Sequence, residues 1–233
     1  IKRAAKKLLS NDFVIVTVNH RSSNDHIFPA QVHDIKAAIR FLKGNAEALN
    51  IDPNFIAING YSSGGHLASM MGATTGKTEF VYQGKEIDLK GSLGNHLGQN
   101  SDVHAVIDWY GPTDLMAMDD CSKIERKKRN GDAREAFIGG PVQENKMITQ
   151  LASPITHLNT KTPPFLIFHG AKDTSVPVCQ SEILHQALIS KGLSSKLIIE
   201  EEGEHSGTNK KMFAPKNIDI MVDFILNEYQ KNK

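Results

Sequence analysis

Short apolar runs and longer amphipathic stretches alternate along the chain. Residues 13–18 (FVIVTV), 55–59, 103–109 (VHAVIDW), 165–169 and 196–200 are brief and rich in β-branched or aromatic side chains. Such runs predict buried strands of a parallel sheet. Between them the apolar positions recur every three or four residues. Val32, Ile35, Ile39 and Leu42 do so behind Pro29, Ile183, Ala187 and Leu188 behind Pro177, and Ile218, Met221, Val222, Ile225, Leu226 and Tyr229 behind Pro215. These spacings predict helices that each bury one stripe, with proline at the first turn. Residues 67–71 predict a further helix directly after the 55–59 strand, and residues 2–9 predict one at the start of the chain.

Strands alternating with amphipathic helices imply βαβ crossovers, hence an α/β fold with a mostly parallel sheet between helical layers. Two stretches break the alternation. Residues 73–102 are rich in Gly, Thr, Asn and Gln without a sustained period, which predicts an insertion loop. Residues 116–162 are polar and predict short cap helices over the sheet. A chain of 233 residues accommodates one such domain, 1–233, more readily than two small ones.

Charge narrows the function classes. Lys and Arg total 27 against 26 Asp and Glu. That balance argues against a nucleic-acid or anionic-membrane surface, since either needs a basic excess. The one dense basic run, residues 123–129 (KIERKKR), reads as a solvated surface segment. No apolar run approaches the ~20 residues that span a bilayer. Cys121 and Cys179 have neither metal nor redox spacing and cannot form a disulfide framework, so they leave the compartment open. Clustered His and acidic spacings for a metal are also missing from the sequence, and no cofactor is expected.

The chemistry concentrates at Gly60-Tyr61-Ser62-Ser63-Gly64, a G-x-S-x-G motif between the 55–59 strand and the 67–71 helix. By itself this pattern occurs by chance in about one chain in ten of this length. Its placement matters more. A strand-to-helix turn lifts a serine clear of the sheet, and glycines at both flanking positions relieve crowding there. A hydroxyl is a poor nucleophile at neutral pH and needs a base, a group that orients the base, and donors for the oxyanion.

In this architecture the acid follows the serine and the histidine comes last. Asp173 lies just past the 165–169 strand, at the strand end where open α/β sheets gather site residues. Asp114, beyond the 103–109 strand, competes with it. His205 follows the last strand directly, whereas His185 falls inside a helical pattern. His66, one helical turn after Ser62, reads as a buried structural histidine, and His169 as one bonded to backbone near the site. The expected set is therefore Ser62, His205 and Asp173, with the Ser63 N–H in the oxyanion hole. Trp109 and Tyr110, at a strand end, are candidates for a substrate pocket.

The segment Gly60 to Ala68 (GYSSGGHLA) closely resembles the elbow of the esterase/lipase branch of the α/β-hydrolases. Phe28-Pro29-Ala30-Gln31, the stretch from Asp108 to Asp114 (DWYGPTD), Ser153-Pro154-Ile155-Thr156 and residues 163–170 sharpen the resemblance. They are similar to the feruloyl-esterase-like group, BD-FAE, which includes acetylxylan esterases, and the similarity covers nearly the whole chain. It implies a three-layer α/β-hydrolase sandwich, a triad of Ser62, Asp173 and His205, and a small acyl or aryl ester substrate, with acetyl or feruloyl esters on polysaccharide in view. An extracellular or periplasmic setting would follow from such a substrate.

One family feature has no counterpart in the sequence. These enzymes carry a His-Gly-Gly loop upstream of the first helix, supplying half of the oxyanion hole, and nothing in residues 1–11 matches it. By family topology the strand before that loop lies between those expected at 13–18 and 55–59. The sheet is thus expected to lack its N-terminal strands, as in a fragment of a longer protein or one whose missing piece another segment supplies. Two other function classes compete with an esterase: an oligopeptidase-like serine hydrolase, and a non-catalytic hydrolase-like binding module.

Overall fold

The computed structural model describes residues 2–121, 131–205 and 211–233. Its core is a four-stranded parallel sheet of β1 (Ala57–Tyr61), β4 (Ala105–Trp109), β5 (Phe165–Gly170) and β6 (Ser195–Glu200), in the order β1-β4-β5-β6. Helices α1 (Lys2–Leu9), α2 (Ala30–Gly44), α4 (Ser63–Ala73), α7 (Cys179–Ser190) and α8 (Pro215–Asn232) surround it, and a short α3 (Ala46–Leu49) follows α2.

The alternation of side chains along the strands builds the layers. Ala105, Ile107, Trp109, Leu166 and Phe168 point to one face, where α1 and α8 bring Ala4, Ile218, Met221, Val222 and Ile225. Val106, Phe165 and Ile167 point to the other, against Val32, Ile35 and Ile39 of α2, Leu67, Met70 and Met71 of α4, and Leu184 and Leu188 of α7. A period of two in strands sandwiched by a period near 3.6 in helices produces three layers from this sequence.

The predicted strand at 13–18 does not form. The segment has no regular structure, and Val14, Ile15 and Val16 are 57%, 46% and 48% exposed. Only its ends are anchored: Phe13 packs edge-on against Phe55 and Tyr229, and Val18 rests on the core. A strand exists only where a neighbouring ladder accepts its N–H and C=O groups. Among the described residues β1 pairs with β4 alone, so its outer edge offers no second partner within the ladder.

The stretch 73–102 is more ordered than expected. It contains a hairpin of β2 (Glu79–Tyr82) and β3 (Lys85–Asp88), turned by Gln83 and Gly84 at φ of 49° and 79°. Two consecutive positive φ angles mark the tight turn that matches strand twist. Three cations of α2 hold this insertion through uncharged oxygens. Lys36 Nζ donates to the Lys77 carbonyl at 3.0 Å, Arg40 to the Lys90 and Leu93 carbonyls, and Lys43 to Asn100 Oδ1 at 2.6 Å. Burial pushes the Lys36 ammonium down to about 8.

The stretch 116–162 contains α5 (Ala133–Ile138), α6 (Lys146–Leu151) and a 3₁₀ turn at Pro154–His157, short helices of the kind expected there. The basic run 123–129 lies outside the described residues. Cys121 and Cys179, given no structural role above, are joined in a disulfide with Cα atoms 5.9 Å apart. It ties the start of the cap to the first residue of α7. No helix among the described residues is long and apolar enough to cross a membrane.

Candidate active site

The elbow begins where β1 ends. Ser62 has φ 54° and ψ −120°, a left-handed conformation unusual for any residue other than glycine. The cost is met by anchors on both sides: the Ser62 N–H donates to the Trp109 carbonyl at 2.8 Å, and its own carbonyl accepts the His66 N–H at 3.0 Å. The turn demands close approach at two glycines. A Cβ on Gly60 would collide with the Gly64 carbonyl, and one on Gly65 with Asp108 Oδ1. A Cβ on Gly64 would meet open space, so the crowding expected at both flanking positions of the motif falls on Gly60 and on Gly65 instead.

Strand ends bring the other two predicted groups to the serine. His205, after β6, places Nε2 2.9 Å from Ser62 Oγ. Its Nδ1 lies 2.6 Å from Asp173 Oδ2, in the loop after β5. A carboxylate only accepts, so Nδ1 carries the proton and Nε2 presents a lone pair to the serine hydroxyl. Asp173 Oδ1 in turn accepts the N–H groups of Ser175 and Val176 at 2.8 and 2.9 Å. Burial alone would raise the Asp173 pKa, but hydrogen bonds from His169 and His205 outweigh it and hold the carboxyl at about 2.

His169 belongs more closely to this cluster than its sequence position suggests. Fully buried, it sets Nε2 2.9 Å from the Val176 carbonyl and 3.5 Å from Asp173 Oδ2. Its Nδ1 is 2.6 Å from Ser181 Oγ. The carbonyl requires the proton on Nε2, leaving Nδ1 to accept from the serine hydroxyl. Both halves of the Asp173 carboxylate are therefore surrounded by donors. The only sequence signal for this was a histidine at the end of an apolar strand.

The rival residues are occupied elsewhere. Asp114 Oδ1 accepts from the N–H groups of Met116 and Ala117, a local turn. His66 has its Nδ1 2.8 Å from the Pro112 carbonyl, and burial lowers its pKa to about 4. His185 sits in α7 with Nδ1 2.9 Å from Ser195 Oγ. The N–H of Ser63 opens α4, where helix geometry leaves an amide without an intrahelical acceptor, beside Ser62.

The pocket expected at Trp109 and Tyr110 needs correction. Trp109 is fully enclosed, its indole N–H bonded to Asn59 Oδ1 and its ring stacked 4.0 Å from Phe168. It has no face left for a ligand. Tyr110 is only 3% exposed and packs against His205. Partly open aromatic surface beside the site comes from Tyr61 and Phe213, whose rings meet edge-on at 5.5 Å. Among the described residues, no group of three or more His, Cys, Asp or Glu side chains could hold a metal ion.

A three-layer α/β sheet with a serine raised on a strand-to-helix elbow is the architecture of the α/β-hydrolases. Within that class the chain belongs to the BD-FAE family, whose profile matches residues 1–188. It superposes on a truncated carbohydrate esterase from gut microbiota with TM-score 0.88, 36% identity, and coverage of 97% of this chain and 77% of that one. A bifunctional GH43-CE protein of Bacteroides eggerthii gives TM-score 0.89 and 38% identity over 97% of this chain and 29% of the other. Esterase LipC of Mycobacterium tuberculosis is 27% identical over 201 residues, 86% of this chain and 46% of its own length. The chain thus spans about half the length of that curated relative.

Proposed function

We propose that this chain is a serine esterase that cleaves carboxylic esters through an acyl-enzyme, with Ser62, His205 and Asp173 as its triad. The observation that carries the reading is the unbroken line of hydrogen bonds from Ser62 Oγ through His205 to Asp173. In the first step His205 Nε2 takes the hydroxyl proton as Ser62 Oγ attacks the ester carbonyl. Asp173, held ionised, stabilises the imidazolium that results. The Ser63 N–H donates to the developing oxyanion, an interaction that grows with charge and so lowers the barrier. His205 then gives its proton to the departing alkoxide. Water, deprotonated by the same imidazole, releases the acid and restores Ser62.

The substrates in this reading are small acyl or aryl esters, of the acetyl or feruloyl kind borne by plant polysaccharide. Similarity to a carbohydrate esterase from gut microbiota and to a bifunctional GH43-CE protein supports the carbohydrate side. An oxidising compartment, extracellular or periplasmic, suits both such a substrate and the Cys121–Cys179 disulfide.

Fluorophosphonate labelling followed by peptide mapping tests the chemistry. Label on Ser62, together with turnover of p-nitrophenyl acetate that Ser62→Ala removes, is the expected result. An unlabelled Ser62 would leave a binding module in its place, and faster cleavage of a peptide amide than of the ester would make the chain a peptidase. Acetate release from acetylated xylan, compared with ferulate release from feruloylated arabinoxylan, then decides the acyl group.

A further inference from the structure

Tyr110 occupies a backbone position that a bulky side chain does not adopt without support. Its φ is 48°, and it stands one residue past β4. For an aromatic residue this is a true outlier, and such residues gather at functional sites. The surroundings hold it there from several directions. The Tyr110 N–H donates to the Phe168 carbonyl at 2.8 Å. The next N–H, of Gly111, donates to Asp108 Oδ1 at 2.8 Å, while Asp108 Oδ2 accepts the Ser69 hydroxyl. Gly111 is itself wedged under the elbow: a Cβ there would lie 2.5 Å from the His66 amide nitrogen. The strained turn and the nucleophile elbow are one interlocked block.

What the strain achieves is the placement of the ring. Tyr110 meets the imidazole of His205 edge-to-face, with centroids 4.8 Å apart and planes at 63°. The second imidazole of the cluster, His169, lies 6.4 Å away at 74°. The phenol therefore stands beside the carboxylate–imidazole pair, between the two histidines that flank Asp173. His205 keeps 18% of its side chain exposed, whereas the Asp173 side chain has none.

We propose that Tyr110 is a positioning residue for His205: its ring fixes the rotamer of the imidazole and shields the Asp173–His205 hydrogen bond from water. This rests on the proposed role of His205 as base. A regular β continuation at residue 110 would send the side chain elsewhere, so the backbone strain is the means of turning the ring toward the base. The ring, rather than the hydroxyl, is the working part.

Three variants separate ring, hydroxyl and backbone. Tyr110→Phe keeps the ring. Tyr110→Gly removes it while relieving the left-handed strain, so stability is less affected than by other truncations. Tyr110→Leu fills the space without an aromatic face and serves if the glycine variant does not fold. One readout is proton NMR of the low-field imidazole resonance from His205 Nδ1–H, assigned by its loss in His205→Gln. Wild type and Tyr110→Phe are expected to show it protected from solvent exchange, and Tyr110→Gly or Tyr110→Leu to lose it by broadening. The second readout is turnover: Phe within about twofold of wild type, Gly and Leu lower in kcat by about tenfold to a hundredfold at unchanged KM, the cost of a misplaced reacting group.

A protected resonance and full kcat in both ring-less variants would overturn the inference. So would a Tyr110→Phe variant as impaired as Tyr110→Gly, because the hydroxyl would then be responsible. If the wild-type protein neither labels at Ser62 nor turns over ester, the esterase reading fails, and the NMR comparison still decides whether Tyr110 shields the pair.

Discussion

Residues 13–18 (FVIVTV) and 165–170 (FLIFHG) are both short apolar runs that open on phenylalanine, yet they meet opposite fates. The second becomes β5, with a ladder on each side and every residue buried. The first stays irregular, its central three side chains about half exposed. Apolar, β-branched composition is thus a statement about what a segment can become. Whether it becomes a strand is decided by the neighbours that can accept its backbone hydrogen bonds. The proposed triad follows the same division. Ser62, Asp173 and His205 stand at the ends of β1, β5 and β6, all members of the one continuous sheet.

If the ordered region holds the function, breaking it there should cost most. Ser62→Ala is expected to lower p-nitrophenyl acetate turnover by on the order of 10⁶ while leaving the thermal melt nearly unchanged, since no packing is lost. Asp173→Asn retains the shape but lets His205 adopt the wrong tautomer, and a loss of about 10⁴ in kcat is expected. A retained rate in either variant would remove the triad from consideration.

The elbow itself offers a sharper test, because the motif and the geometry disagree. Gly60→Ala and Gly65→Ala each force a methyl into backbone or a buried carboxylate, and each should destabilise by a few kcal/mol, read by urea unfolding. Gly64→Ala places its methyl in open space within α4 and should be neutral or stabilising by about 0.5–1 kcal/mol. Equal losses at Gly60 and Gly64 would contradict the assignment of the crowding.

These contrasts show what could be read from the sequence. The order of serine, acid and histidine, each beyond a strand, was legible because strand ends converge on one edge of an α/β sheet. The close approach at Gly65 was not, since it depends on Asp108 arriving from a strand more than forty residues later. Tyr110 was legible as a strand-end residue but not as a wall for His205, because no periodicity records a left-handed φ. The Cys121–Cys179 pairing was equally hidden: 58 residues separate the two, and only the fold brings the cap to α7. At residues 13–18 the apolar pattern predicts a buried strand and the structure has none, because no ladder among the described residues accepts its backbone groups.

Acid should also find the ordered region first. Asp173 is held at about 2, below its unfolded value near 3.9. A carboxyl lowered on folding contributes stability that is present above the unfolded value and lost as pH falls through the folded one. That contribution, about 2 kcal/mol, should therefore disappear between about pH 4 and pH 2. Urea melts across that window should show a shallower acid decline in Asp173→Asn than in the wild type. Parallel declines would place the pH dependence elsewhere.

The smallest effects belong to the open side. Ile15→Thr exchanges one half-exposed apolar side chain for a polar one outside any ladder, so its stability cost should stay within about 0.5 kcal/mol. Ile167→Thr, the matched change in β5, replaces a buried ethyl arm with a hydroxyl inside the cluster that α2, α4 and α7 line, and should cost roughly 2–3 kcal/mol. Native-state hydrogen exchange gives the same comparison without mutation. Amides of β4, β5 and β6 should be protected to near the global unfolding free energy, and those of residues 14–18 should exchange at rates close to an unstructured chain. Strong protection at residues 14–18 would mean that their backbone groups are hydrogen-bonded after all, and the contrast between the two hexapeptides would then lie in side-chain burial alone.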